Sequence, residues 1–137
     1  MCDLYRIQMQ PWPLILIQAF GFRPKRPQKE DEAFQQLQMQ HFEGMHVRGW
    51  SYIVVSPDSV PGIFLHLPEP QRSQIQAAYY NNNAAWVERS DLARYAAVYA
   101  HGGVTIDALD AQVTDWQVLE AHREHCPLIV PGNAWGK

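Results

Sequence analysis

Between positions 89 and 110 the sequence gathers the residue types that handle phosphorylated ligands: Ser90, Asp91, Arg94, Gly102, Gly103, Asp107 and Asp110. Asp91 and Arg94 are three apart in an alanine-rich segment, which on a helix puts both on one face. The two glycines predict a tight turn out of that helix into Val104-Thr105-Ile106, a strand-like run that leads straight into Asp107. Carboxylates at the end of a strand have two uses. They can cap a turn, or they can hold a hard divalent cation that in turn grips a diphosphate. In open parallel sheets, ligands bind outside the carboxyl ends of the strands, which is where Asp107 falls.

The surrounding elements must place these groups. Leu14 to Ala19 reads as a fully buried strand, rich in β-branched residues and bounded by Pro11, Pro13 and Gly21. Phe22 to Lys29 is a basic, proline-broken loop whose Arg23, Lys25, Arg26 and Lys29 either face a phosphate or sit as solvated loop charge. Glu30 to Phe42 has helix chemistry, with Gly44 as its expected stop. Trp50 to Val55 predicts a second strand, and strand, helix, strand in this order suggest a βαβ unit with a parallel sheet. Pro61 to Pro70, with three prolines and Gly62, reads as irregular. A short helix is expected over Gln71 to Tyr80, a turn at Asn81-Asn82-Asn83, and the clearest helix of the chain over Glu88 to His101. In that helix Leu92, Tyr95 and Tyr99 share a face and are expected in the core.

From position 89 onward the chain resembles the DXD-containing sugar-transferase family, which includes initiating mannosyltransferases and inositol-phosphoceramide mannosyltransferases. That family's pattern runs roughly Ser/Ala-Asp-x-x-Arg-Tyr-x-x-Leu-Tyr-x-x-Gly-Gly-x-Tyr-x-Asp-x-Asp. Ser90, Asp91, Arg94, Tyr95, Tyr99, Gly102, Gly103 and Asp107 match it in register without a gap, and Val98 stands for its leucine. A weaker echo lies upstream. Pro13 to Phe20 is similar to the family's opening strand, with Gln18 matched, Phe20 at the tryptophan position and Ile17 in place of a histidine.

The resemblance implies an α/β, GT-A-type, Rossmann-like domain with a mainly parallel sheet. It implies a single nucleotide-sugar-binding domain over residues 1–137, the donor-side half of a longer arrangement. The activity implied is metal-dependent, retaining transfer of a hexose from a nucleoside diphosphate sugar to a glycan or lipid acceptor, with Mn²⁺ or Mg²⁺. A Golgi or other secretory membrane setting goes with it; a cytoplasmic one is the alternative. Asp91 and Arg94 would contact the donor sugar and its phosphates. Phe20 would stack on the base, Asp107 would lie near ribose and metal, and Asp110 would be the second metal carboxylate.

The sequence also departs from that pattern. Thr105 replaces a tyrosine, and the second acidic position falls on Leu109, with Asp110 one place late. A one-residue shift in a strand turns a side chain to the opposite face. Asp107 and Asp110 can therefore reach one metal only if the chain bulges or turns at Ala108-Leu109. The other reading is a degenerate site in a non-catalytic remnant or partner protein that binds nucleotide weakly or not at all. The family also has more chain beyond this motif for the acceptor side than follows Asp110 here.

Composition narrows the remaining classes. The 137 residues are 47% hydrophobic and 18% charged, an ordinary globular balance. The formal net charge of −3 makes nucleic acid a poor default partner. The longest apolar run, Leu14 to Ile17, is far short of the ~20 residues of a membrane span, and no signal peptide is expected from Met1 to Arg6. Cys2 and Cys126 do not make a disulfide framework. The pattern His122-x-x-His125-Cys126 has helical spacing for metal ligands but lacks a fourth partner. Trp12, Trp50, Trp86, Trp116 and Trp135 invite a sugar-stacking role, but each is expected in packing; Trp135, beside Gly136, is the strongest candidate for an exception. There is no P-loop, no Gly-x-Gly-x-x-Gly and no nucleophile elbow around Ser56, Ser59 or Ser90.

Overall fold

A computed structural model describes residues 12–46, 48–109, 113 and 115–122. Residues 14–113 form one compact unit, and residues 1–13 and 114–137 fall in a second. In the second unit the described structure is helix α5, Trp116–His122.

The larger unit is built on a three-stranded parallel sheet in the order β2-β1-β3, with β1 at Ile15–Ala19, β2 at Ser51–Val55 and β3 at Val104–Thr105. Ile15 pairs with Ser51 on one side of β1, and Leu16 pairs with Val104 on the other. As the central strand, β1 needs apolar residues toward both faces, which explains its unbroken Ile-Leu-Ile run. On one face Ile17 and Ala19 pack against helices α2 (Val60–Phe64), α3 (Gln71–Tyr79) and α4 (Trp86–His101) through Val60, Ile63, Phe64, Tyr79 and the α4 alanines. On the other face Leu16 and Gln18 are buried. Tyr52, level with Leu16, meets Phe42 of helix α1 (Gln28–His46) edge to face there. The layers are helix, sheet, helix, as a βαβ reading requires.

Four expectations change. Helix α1 does not stop at Gly44 but continues to His46, because Met45 is 3% exposed and its burial outweighs one glycine's poor helix propensity. The left-handed glycine of this connection is Gly49, φ 77°. The proline-rich stretch is not irregular throughout: Val60–Phe64 is helical, with Pro61 in the first turn, where a missing N–H costs nothing. The larger correction concerns α4. Tyr95 and Tyr99 are not core but 50% and 61% exposed, and the buried residues are Ala93, Ala96 and Ala97. Small side chains let the helix lie close on β1, which leaves no room for tyrosines between them. The fourth change is at Trp86, expected in packing and found 41% exposed.

The glycine pair behaves as expected. Gly102 and Gly103 have φ of 75° and 94°. A Cβ on Gly103 would lie 2.4 Å from the Ile15 carbonyl oxygen, so only glycine lets β3 start beside β1. No helix among the described residues is long and apolar enough to cross a membrane.

Candidate functional site

At the carboxyl ends of β1 and β3, a cleft of about 250 Å³ opens between three segments. The β1–α1 loop forms one wall with Phe20, Arg23 and Arg26. The first half of α4 forms another with Trp86, Ser90, Asp91 and Arg94. The turn after β3 closes it with Asp107, Ala108 and Leu109. The cleft lies outside the carboxyl ends of neighbouring parallel strands, the usual place for a ligand in such sheets. The volume is just below the roughly 300–1,000 Å³ of pockets for drug-sized ligands.

Four residues picked from the sequence, Phe20, Asp91, Arg94 and Asp107, all line this cleft. Asp110 lies outside the described residues, as do His125, Cys126 and Trp135 and the side chain of His122.

Asp107 is positioned through its backbone. Its carbonyl oxygen accepts from Gln18 Nε2 at 3.1 Å, and Gln18, completely buried, accepts in turn from the Tyr52 hydroxyl. Burial pushes the Tyr52 phenol up from its ordinary value, against a smaller opposing effect of a side-chain hydrogen bond with Gln38, so it stays a donor. Thr105, where the sugar transferases have tyrosine, donates its hydroxyl to the Ile17 carbonyl at 2.8 Å and fastens β3 to β1. The Asp107 side chain is exposed, and its Oδ1 accepts from the Leu109 N–H at 2.9 Å in a turn over Ala108-Leu109.

On α4, Arg94 Nη2 donates to Asp91 Oδ1 at 3.2 Å. The Arg94 side chain is 17% exposed and that of Asp91 46%. The Arg94 Nε–H is buried without a hydrogen-bond acceptor. A buried, charged donor with a spare N–H at a cleft wall suits an anionic ligand. The basic loop resolves into two parts. Arg23 and Arg26 turn to the cleft, held by Glu30 and, at 2.6 Å, by Asp31 in the first turn of α1. Lys25 and Lys29 are exposed.

Phe20 is less available than the resemblance implies. Its ring stacks on Phe34 at 4.1 Å between centroids, and the Arg26 guanidinium lies over it at 5.0 Å. Both partners already occupy the ring.

Compared with known protein families, curated proteins and solved structures, the chain matches none.

No group of three His, Cys, Asp or Glu side chains able to hold a metal occurs among the described residues. One exposed carboxylate, Asp107, beside a cleft lined by Arg23, Arg26 and Arg94 fits Mg²⁺ or Mn²⁺ where a ligand brings its own phosphates, since Mg²⁺ is commonly held by one or two carboxylates plus phosphate oxygens. Two cleft residues, Val87 and Trp86, are not among the expected site residues, Trp86 being expected in packing. The signal was there: counting back one helical turn from Ser90 and Asp91 reaches both.

Proposed function

We propose that the cleft binds a nucleoside diphosphate sugar and that the chain transfers the hexose, with retention, to a glycan or lipid acceptor. The observation that carries this reading is the convergence of Phe20, Asp91, Arg94 and Asp107, from three separate segments, on one cleft at the strand ends. The in-register match of Ser90 to Asp107 with the DXD sugar transferases supports the same reading, and with it a GT-A-type relation for the partial Rossmann-like sheet.

A nucleoside diphosphate leaves only when its developing negative charge is met. Arg94 is suited to that task, since guanidinium stays charged at any physiological pH and offers a forked set of donors. Asp91 holds the guanidinium in place, and its exposed oxygens can accept from sugar hydroxyls. Arg23 and Arg26 can exchange their carboxylate partners for phosphate oxygens on the opposite wall. Asp107 would hold the divalent ion, Mn²⁺ or Mg²⁺, whose chemistry is to neutralise diphosphate charge.

Leu109, an apolar side chain at the cleft where the family has its second acid, favours a second reading: the same scaffold binding nucleotide without turnover. One experiment addresses both. A nucleoside diphosphate is titrated with and without Mn²⁺ while melting temperature and tryptophan fluorescence are followed. A ligand at 100 times its Kd adds about 2.7 kcal/mol of stability to the folded state, so binding raises the melting temperature. Asp107→Ala is expected to remove the Mn²⁺ effect, and Arg94→Ala to weaken binding with or without metal. Sugar-nucleotide hydrolysis then separates turnover from binding. Absence of binding to the wild-type protein refutes both readings.

A further inference from the structure

We infer that Trp86, rather than Phe20, is the flat surface on which the ligand's base stacks. The inference rests on the nucleotide reading above and assigns it a residue outside the resembling motif. The Phe20 ring is already stacked on Phe34 and has the Arg26 guanidinium over it. Trp86 differs in every respect that matters. It lines the same cleft, is 41% exposed, and has no ring, hydrogen-bond or cation partner among the described residues. A large uncommitted indole at a cleft wall is an uncommon use of surface, and stacking needs only an open π-face.

Its position also suits the other end of the ligand. Trp86 begins α4 and Arg94 lies eight residues on, about 12 Å along the axis at 1.5 Å per residue. That is comparable with the reach from base to terminal phosphate in an extended nucleoside diphosphate. With phosphate at Arg94, the base meets Trp86 at the mouth of the cleft. Ser90 and Asp91 stand between them on the same helix, level with the ribose, whose hydroxyls can donate to the Asp91 carboxylate. The helix thus presents aromatic, hydroxyl, carboxylate and guanidinium groups in the order in which a nucleotide presents base, ribose and phosphates.

The test compares a nucleoside diphosphate, inorganic pyrophosphate and a hexose 1-phosphate on the wild-type protein, Trp86→Ala, Trp86→Phe and Phe20→Leu. Trp86→Ala is expected to weaken the nucleoside diphosphate about tenfold or more, the usual scale for one lost stacking partner, and to leave pyrophosphate unchanged. Trp86→Phe, which keeps a flat ring, is expected to recover most of the loss. Phe20→Leu is expected to cost melting temperature more than it costs discrimination between nucleoside diphosphate and pyrophosphate. Trp86 is partly exposed at a helix start, so its variants are expected to melt within a few degrees of wild type. Nucleoside diphosphate binding that Trp86→Ala leaves untouched overturns this inference and spares the nucleotide reading. Loss confined to the hexose 1-phosphate puts a sugar on Trp86 and overturns the base assignment. A wild-type protein that binds none of the three ligands removes both.

Discussion

Gly103 connects a residue type to the site most directly. The added Cβ of an alanine would fall 2.4 Å from the Ile15 carbonyl oxygen and 2.8 Å from the Ile15 Cβ, at a φ of 94° that side chains rarely adopt. The clash is with backbone, so no side-chain rotation relieves it. Strain of this kind costs about 1–3 kcal/mol, and the displaced strand adds to it. Gly103→Ala is expected to lower stability by at least about 2 kcal/mol in urea unfolding. It should also loosen the turn bearing Asp107, because Thr105 and Gln18 fix that turn to β1. A loss under about 0.5 kcal/mol would contradict the packing of β3 on β1. Gly49, which has no atom within 4 Å of its would-be Cβ, is the comparison: Gly49→Ala meets only the strain of its φ of 77°.

At the scale of the element, α4 both packs the core and forms a wall of the site. Ala93, Ala96 and Ala97 set its distance from β1, and Trp86, Val87, Ser90, Asp91 and Arg94 face the cleft. Ala96→Leu adds volume where Ala96 is 2% exposed, and overpacking of this kind costs about 1–3 kcal/mol. Tyr99→Ala removes an exposed ring and is expected to change stability by less than about 0.5 kcal/mol. Urea midpoints of the two variants check the assignment of faces; equal losses would contradict it. The sequence was readable here in kind but not in orientation. The alanines, the paired glycines and the apolar run of β1 each have one dominant physical meaning, so the parallel sheet and the helix emerged. A tyrosine is amphipathic, and period alone does not say whether the large or the small stripe of a helix faces the sheet. Small residues win where the helix must approach closely. Trp86 reads as packing for a related reason, since that is an aromatic side chain's commoner use and only its neighbours on the helix reveal the cleft.

At the scale of the whole unit, the cleft depends on both helical layers keeping their place on a sheet of three short strands. One tie of α1 to the chain beyond β3 responds to protons. His41, on the buried side of α1, is wholly inaccessible, and its Nε2 accepts from the Val113 N–H at 3.2 Å, beyond β3 and the acidic turn. Burial lowers its pKa below the ordinary 6.5, so the folded protein holds it neutral. Protonation would turn Nε2 into a donor, facing another donor. The unfolded chain binds that proton more readily than the folded one. The stabilising contribution is therefore complete above pH 6.5 and is lost as the pH falls through 6.5 toward the lower folded value. Ordinary carboxylates titrate near 4, so a decline that starts between pH 6.5 and 5 belongs to histidine. The urea midpoint of the wild-type protein is expected to be lower at pH 5.5 than at pH 7.5. His41→Gln retains an acceptor without a titrating ring, so the gap between the two midpoints should narrow in that variant. A gap of unchanged size would assign the acid sensitivity to other groups and leave the α1 tie without a pH-dependent role.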